Sequence, residues 1–277
     1  MAQNDKIKEL VEALKRLSKT DYYQIKIIPN ITPEIFDSKL GGLPYWTPDK
    51  NYPTNPDGKK LILLAQMNFD RENVDSPLPT SGMLQFFITD DDVMGMNFDN
   101  QTMQNNFRVI YHENIDYNVT RETIQKLGIP NSNEKTVECF PITKECKISL
   151  QKEVDYIKYG DVRFENFFQI AYKEVFNKEP KKENTYINIL SDDERDRLDQ
   201  ELENNSSNHK MLGYSFFTQE DPRYDKKYKD YEILLLQIDS EGEYVMWGDA
   251  GIGNFFISKK ALLEKDFTNV LYNWDCS

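Results

Sequence analysis

Two stretches of this 277-residue chain are spelled on one plan. The first runs Lys39-Leu40-Gly41-Gly42-Leu43-Pro44, then the apolar segment 61–68, then Gly82 and the aromatic segment 83–88. The second runs Lys210-Met211-Leu212-Gly213-Tyr214, then 233–239, then Gly251 and 252–257. Each holds a glycine turn, an apolar run closed by Gln and Asn or Asp, and a Gly-led strand. Gly42 to Gln66 spans 24 residues, and so does Gly213 to Gln237. Leu61 through Met67 scarcely alternates, which marks a strand buried on both faces. The plan predicts an internally duplicated α+β fold, with mostly antiparallel sheets and peripheral helices. It reads as a single domain over 1–277, with half-repeats at about 20–112 and 208–277 and a less patterned insert between them.

Around that plan the punctuation is clear. Ile7, Leu10, Val11, Leu14 and Leu17 recur at helical period and predict an amphipathic helix over 4–18. Tyr23, Ile25 and Ile27 alternate with Gln24 and Lys26, a strand closed by Pro29. Prolines 29, 33, 44, 48, 53 and 56 then make 29–56 a rigid loop, because proline fixes φ and removes a donor. Within the insert, 137–140 and 147–150 read as strands and 166–176 as a helix. Ser191 and Glu194 form a capping box before a helix over 193–202, and 204–208 reads as a loop. A short helix is expected over 258–266. The apolar end, with Phe267, Val270, Leu271, Tyr272 and Trp274, is expected to dock into the fold.

Charge narrows the function classes. The net charge is -13 and the pI about 4.8. Such a surface repels phosphate backbones and anionic headgroups, so neither nucleic acid nor a membrane is an expected partner. No apolar run reaches the length of a membrane span. The polar N-terminus lacks an apolar signal core, so the expected location is cytoplasmic. Cys139, Cys146 and Cys276 are odd in number and match no zinc spacing, so reduced thiols are expected. The basic runs Lys181-Lys182 and 223–229 read as solvated loops.

Seven blocks carry a resemblance. They are Gly41-Gly42-Leu43-Pro44-Tyr45, Leu63-Leu64-Ala65-Gln66-Met67-Asn68, Gly82-Met83-Leu84-Gln85-Phe86-Phe87, Gln219-Glu220-Asp221-Pro222-Arg223, Leu234-Leu235-Leu236-Gln237-Ile238-Asp239, Met246-Trp247-Gly248-Asp249-Ala250-Gly251 and Leu271-Tyr272-Asn273-Trp274-Asp275-Cys276. In order and from about residue 25 onward, they resemble the bacterial YwqG-like family. The resemblance implies a soluble α+β fold with an internal repeat, and it carries over no catalytic residue.

The residues that invite chemistry are few. Asp221, Asp239 and Asp249 end motifs, with Arg223 beside the first. Such carboxylates do acid–base work, or else cap turns. Gln66 and Gln237 hold equivalent places, and a buried amide there must bond either a ligand or the neighbouring loop. Gly251 and Gly253 precede a strand rather than a helix, which argues against a phosphate loop. His112 and His209 are the only histidines, and no Gly-x-Ser-x-Gly elbow, His-Glu-x-x-His motif or P-loop lysine is present. Tyr45, Trp46, Gln66, Gln85, Asp221, Arg223, Gln237, Asp239, Trp247 and Asp249 are the candidate groove residues. The leading expectation is a non-catalytic interaction protein, immunity-like in kind, that binds a basic protein or peptide in a groove between its halves. The rival is a hydrolase or metal-dependent enzyme using Asp221, Asp239 and Asp249. A small-molecule binder lined by Tyr45, Trp46 and Trp247 is the third reading. No cofactor or metal site is expected.

Overall fold

Alternation around Tyr23 and Ile25 gives β1 (Thr20–Ile28), preceded by the amphipathic α1 (Ala2–Ser18). The first copy of the plan supplies β2 (Lys39–Leu40), β3 (Ile62–Asn68) and β4 (Met83–Ile88), followed by β5 (Phe107–His112) and α2 (Arg121–Lys126). Next come β6 (Cys146–Asp155) and the helices α3 (Phe164–Phe176), α4 (Tyr186–Ile189) and α5 (Asp192–Leu202). The second copy gives β7 (Lys210–Leu212), β8 (Ile233–Asp239) and β9 (Ile252–Ile257), then α6 (Lys259–Leu263) and β10 (Leu271–Asp275). The computed structural model describes residues 2–134, 137, 139–180, 185–202 and 208–277. Lys181-Lys182 and positions 204–207 of the expected loop lie outside the described residues.

All ten strands join one antiparallel sheet in the order β10-β9-β8-β7-β1-β6-β2-β3-β4-β5. At its centre β1 and β6 run the full length of each other, from Thr20 opposite Asp155 to Ile28 opposite Lys147. Outward from that pair the strands read β7, β8, β9, β10 on one side and β2, β3, β4, β5 on the other. Matching irregularities recur. The β3–β4 register shifts between Leu63 and Ala65, and the β8–β9 register between Leu234 and Leu236. Lys39 stands opposite Gln66, and Lys210 opposite Gln237.

The sheet closes on itself through aromatic side chains. Phe86 of β4 lies 5.0 Å from Phe255 of β9, and Phe107 of β5 lies 5.1 Å from Tyr272 of β10. The place where a groove between the halves was expected is therefore a filled seam, part of the largest apolar cluster. The segment 89–106 straps the β10 edge: Gln101 O accepts from Tyr272 N, Met94 O from the Tyr272 hydroxyl and Val93 O from Trp274 Nε1. Covering an edge in this way blocks pairing with another chain. Outside the sheet, one apolar layer around Leu43, Tyr45, Trp46 and Phe87 covers the first half. A smaller one around Phe217, Tyr228 and Phe256 covers the second. Leu10 and Leu14 of α1 pack with Phe168 of α3 and Leu198 of α5 in a separate helical layer.

The expected helices appear within two residues of their limits, with α6 shorter at its C-terminal end, and the Ser191 N–H donates to Glu194 Oε2 as the capping box requires. Strand 147–150 is the middle of the longer β6. The described part of 137–140 is not a strand; Cys139 is exposed, and Pro141 restricts Phe140 and removes a ladder donor. In the 223–229 run Lys226, Lys227 and Lys229 are exposed, but Arg223 is buried.

Candidate functional site

The first half builds a buried brace on the outer face of β3 and β4. Gln66 Oε1 accepts from the Tyr45 N–H at 3.0 Å and from Gln85 Nε2 at 2.8 Å. Gln66 Nε2 donates to the carbonyls of Ile35 and Asp37, and Gln85 Nε2 to that of Tyr45. The proline-rich loop thus exchanges its backbone bonds for side-chain amides, as a buried loop must. Lys50 Nζ donates to His112 Nδ1 at 3.1 Å, which fixes the tautomer with the proton on Nε2, 2.8 Å from Gln85 Oε1. Burial, and then the Lys50 charge, push His112 down from 6.5 to about 4. Tyr45 and Trp46 each meet His112 edge-on, at 5.3 and 5.1 Å.

The second half repeats the brace with other side chains. Gln237 Oε1 accepts from the Phe216 N–H, Gln237 Nε2 donates to Asn208 O, and Asn254 Nδ2 donates to Phe216 O. Counted from Gly42 and Gly213, Tyr45 and Phe216 occupy one position, Lys50 and Asp221 another, Tyr52 and Arg223 a third. By strand register His112 matches Asp275, because each lies opposite the first residue of its neighbour, Met83 or Ile252. Asp275 Oδ1 accepts from Thr218 N and Oγ1. His209 accepts the Asp239 N–H on Nδ1, where the first half has Ser38 accepting the Asn68 N–H.

Around Asp221 lies a buried ionic network. Arg223 Nε and Nη2 grip Asp221 at 2.9 and 2.7 Å, and Nη2 also reaches Asp161 Oδ2 and Ser215 Oγ. Arg163 clamps Asp161 in a bidentate fork at 2.8 and 2.6 Å. Burial alone would raise the Asp161 carboxyl; Arg223 and Arg163 instead hold it well below the usual carboxylate range. Asp221 Oδ2 also accepts the Val162 N–H, so the network staples the approach to α3 onto the second half. The Arg223 guanidinium lies 4.2 Å over Phe256, matching the edge-on contact of Tyr52 with Phe87 at 5.6 Å.

The structure therefore brings Tyr45, Trp46, Gln66 and Gln85 together, and Asp221 with Arg223, but not these two sets with each other. Gln237 lies in the second brace. Asp239 ends β8 and accepts the Ser240 N–H. Trp247 is buried in the inner core, stacked 6.1 Å from Trp274. A Cβ on Gly253 would lie 2.4 Å from the Trp247 ring, which explains that glycine. Asp249 is exposed. Trp46 and Trp247 belong to different cores. Among the described residues no group of three or more His, Cys, Asp or Glu is placed to hold a metal ion, and no helix is long and apolar enough to cross a membrane.

Three features escaped the sequence reading. Lys39 and Lys210 are almost fully buried. Lys39 Nζ donates to the carbonyls of Glu34 and Leu43, and burial drives its ammonium down to about 7. Asp161 and Arg163 complete the ionic network from a segment with no motif. Phe98 is 69% exposed in the strap. That strap is rigidly built: Asp91 Oδ1 accepts the N–H of Val93 and Gly95, Asn97 Oδ1 those of Asp99 and Asn100, and Gln101 is held by Tyr228 and Asn273. Asp92 and Asp99 are exposed on the same strap. A cleft of about 760 Å³ opens elsewhere, between Lys59, Lys60, Asp90, Gln125, Ile129 and Glu134. Its two lysines are already engaged, Lys59 by Asp90 and Lys60 by the carbonyls of Leu127 and Gly128.

Residues 38–276 match the model of a family described as a domain of unknown function, DUF1963, and the chain belongs to that family. The comparison with curated proteins gives no match.

Proposed function

We propose, for this member of a family without an assigned activity, that the chain is a non-catalytic cytoplasmic interaction module whose partner is a basic protein or peptide. The observation that carries the reading is Phe98, an aromatic side chain 69% exposed on a strap pinned by its own hydrogen bonds. Rigid aromatics are what interface hot spots are made of, since they bury a large area at little entropic cost. The exposed Asp92 and Asp99 of the same strap, and a net charge of -13, favour a cationic partner and speed its encounter. An immunity-like role, the neutralising of such a partner, fits the same surface. A catalytic use of Asp221 finds no support, because its carboxylate is consumed by Arg223 and the Val162 N–H.

The finer descent belongs to this reading. The mirrored strand order, the matched bulges and the matched braces support two half-length units that arose by duplication and exchanged their first strands, β1 and β6. The resemblance to the YwqG-like family supports the same history and a bacterial setting. The test is direct binding to a panel of arrays carrying Lys/Arg-rich peptides with one apolar residue, set against acidic and scrambled sets. Saturable, salt-weakened binding to the basic set, lost in Phe98→Ser, is the expected result. Equal binding by Phe98→Ser, or no preference for basic peptides, overturns the assignment.

A further inference from the structure

A second site lies where the helical segment meets the second half. There the chain buries a cluster of opposite charges. Lys210 pairs with Asp155 at 3.2 Å, and Arg163 and Arg223 share Asp161 and Asp221. Asp155 is complete without further help, since its oxygens also accept the N–H groups of Tyr156 and Tyr214. Lys158 is the cation left over. It is 4% exposed, and its ion pair with Asp155 Oδ1, at a long 3.3 Å, is its only one among the described residues. Asp155 is thus shared by two buried ammonium groups. Among the described residues, the buried Lys158, Lys210 and Arg223 and the partly exposed Arg163 pair with Asp155, Asp161 and Asp221, while a fourth buried carboxylate, Asp275, accepts instead from Thr218 and Gln219. A buried ammonium is costly unless its donors are met, and one long ion pair leaves Lys158 donors to spare.

A cavity stands at that cation. Lys158 lines a pocket of about 170 Å³, together with Tyr159, Leu202, Phe216, Phe217 and Gln219. Its walls are largely apolar and aromatic, and among the described residues the lysine is its one charged lining group. The Arg223 Nη1, in the same charged network, is buried without a hydrogen-bond partner. One positive charge at the end of a small aromatic-walled pocket asks for one negative charge on a small apolar body. We propose that this pocket binds a small monocarboxylate, its anionic head on Lys158 and its hydrocarbon or ring between Phe216, Phe217 and Leu202. A phosphate would bring a second charge close to Asp155 and no apolar surface for the walls. The site is separate from the Phe98 strap and does not depend on it.

The experiment uses the full chain with benzoate, its neutral isostere benzamide, and inorganic phosphate, read by calorimetry and by thermal shift. Benzoate is expected to bind saturably in the millimolar range or tighter and to raise the melting temperature; benzamide and phosphate bind far more weakly. Lys158→Met should weaken benzoate about ten- to hundredfold, the loss of one charge-assisted contact, while Lys158→Arg retains most of the affinity. Lys158→Met leaves Asp155 paired with Lys210, so its unliganded melting point should stay close to that of the parent. The proposal is overturned if benzoate fails to saturate, if benzamide binds as well as benzoate, or if Lys158→Met binds it unchanged. Preferential binding of inorganic phosphate would also overturn it. Should Lys158→Met fold poorly, the benzoate–benzamide difference and the Lys158→Arg variant still decide.

Discussion

In the first half, the outer face of the sheet sets a neutral imidazole between an exposed lysine and a buried amide. In the second half, the equivalent positions carry Asp275 and Asp221, and the place of Tyr52 is taken by Arg223. The backbone bonds are the same on both sides: a glutamine at the end of an apolar strand accepts the N–H three residues past a glycine. What differs is the electrostatics. The first brace is held by neutral hydrogen bonds and edge-on rings. The second adds to its amide bonds a largely buried ionic network of Asp221, Arg223, Asp161 and Arg163. A shared scaffold has thus been stabilised by two different kinds of interaction, and each should respond to a different perturbation.

The widest gap is expected at the matched pair Arg223 and Tyr52. Arg223→Met leaves Asp221 buried without its cation and removes one of two from Asp161, a loss of about 3–5 kcal/mol by analogy with other broken buried ion pairs. Tyr52→Leu removes two ring contacts, with Trp46 and Phe87, and a hydroxyl bond to Leu61 O, about 1–3 kcal/mol. Urea unfolding of both variants measures the difference. Comparable losses would mean that the ionic network is no more demanding than the aromatic one.

Acid should separate the halves by a second route. His112 is held at about 4 in the folded chain, against 6.5 for an ordinary histidine. Between those values the unfolded chain binds a proton that the folded chain refuses. The stabilisation is therefore complete above pH 6.5 and is lost as the pH falls toward 4, by about 3 kcal/mol in all. His112→Gln should flatten that part of the stability profile; an unchanged slope would place the imidazole outside the brace. Asp275 occupies the matching position, so no imidazole stands at that place in the second half.

How far the sequence foretold these sites follows from locality. The apolar runs of β3 and β8, the glutamines at their ends and the docked C-terminus were all readable, because burial and strand period are written in adjacent residues. The length of β6 was not. Lys147, Ser149, Gln151 and Lys152 make it look like a polar stretch, and only β1, far away in the chain, gives it a partner. The burial of Lys39 and Lys210 was not legible either, since a lysine is seldom buried and nothing local in the sequence marks these two. Asp161 and Arg163 look like a local surface pair until Arg223 arrives from sixty residues away. Phe98 misleads in the opposite direction: an aromatic in a sequence signals a core, and its exposure depends on how the strap lies across β10.

The matched glutamines offer a finer comparison. Gln66→Leu strands the N–H of Tyr45, an N–H of Gln85 and the carbonyls of Ile35 and Asp37. Gln237→Leu strands only the Phe216 N–H and the Asn208 carbonyl. Each buried orphan costs on the order of 1 kcal/mol or more, with partial relaxation. The first variant is expected to lose about 2–3 kcal/mol and the second about 1–2 kcal/mol. A larger loss at Gln237 would show that the second brace leans on this amide more than its bonds imply.

The smallest effect is expected where the interaction surface was placed. Phe87 and Phe98 are eleven positions apart, yet one is fully buried against Trp46 and Tyr52 while the other is 69% exposed. Phe87→Ser should cost about 3–5 kcal/mol, the usual loss for a large core aromatic. Phe98→Ser should move stability by no more than about 0.5 kcal/mol, as surface changes do. Natural selection for folding gives no reason to keep a large aromatic at such a position, and exposing it adds a risk of aggregation. If Phe98→Ser instead destabilises the chain by more than 1 kcal/mol, the side chain is serving the strap and the seam beneath it, and the interface reading loses its main support.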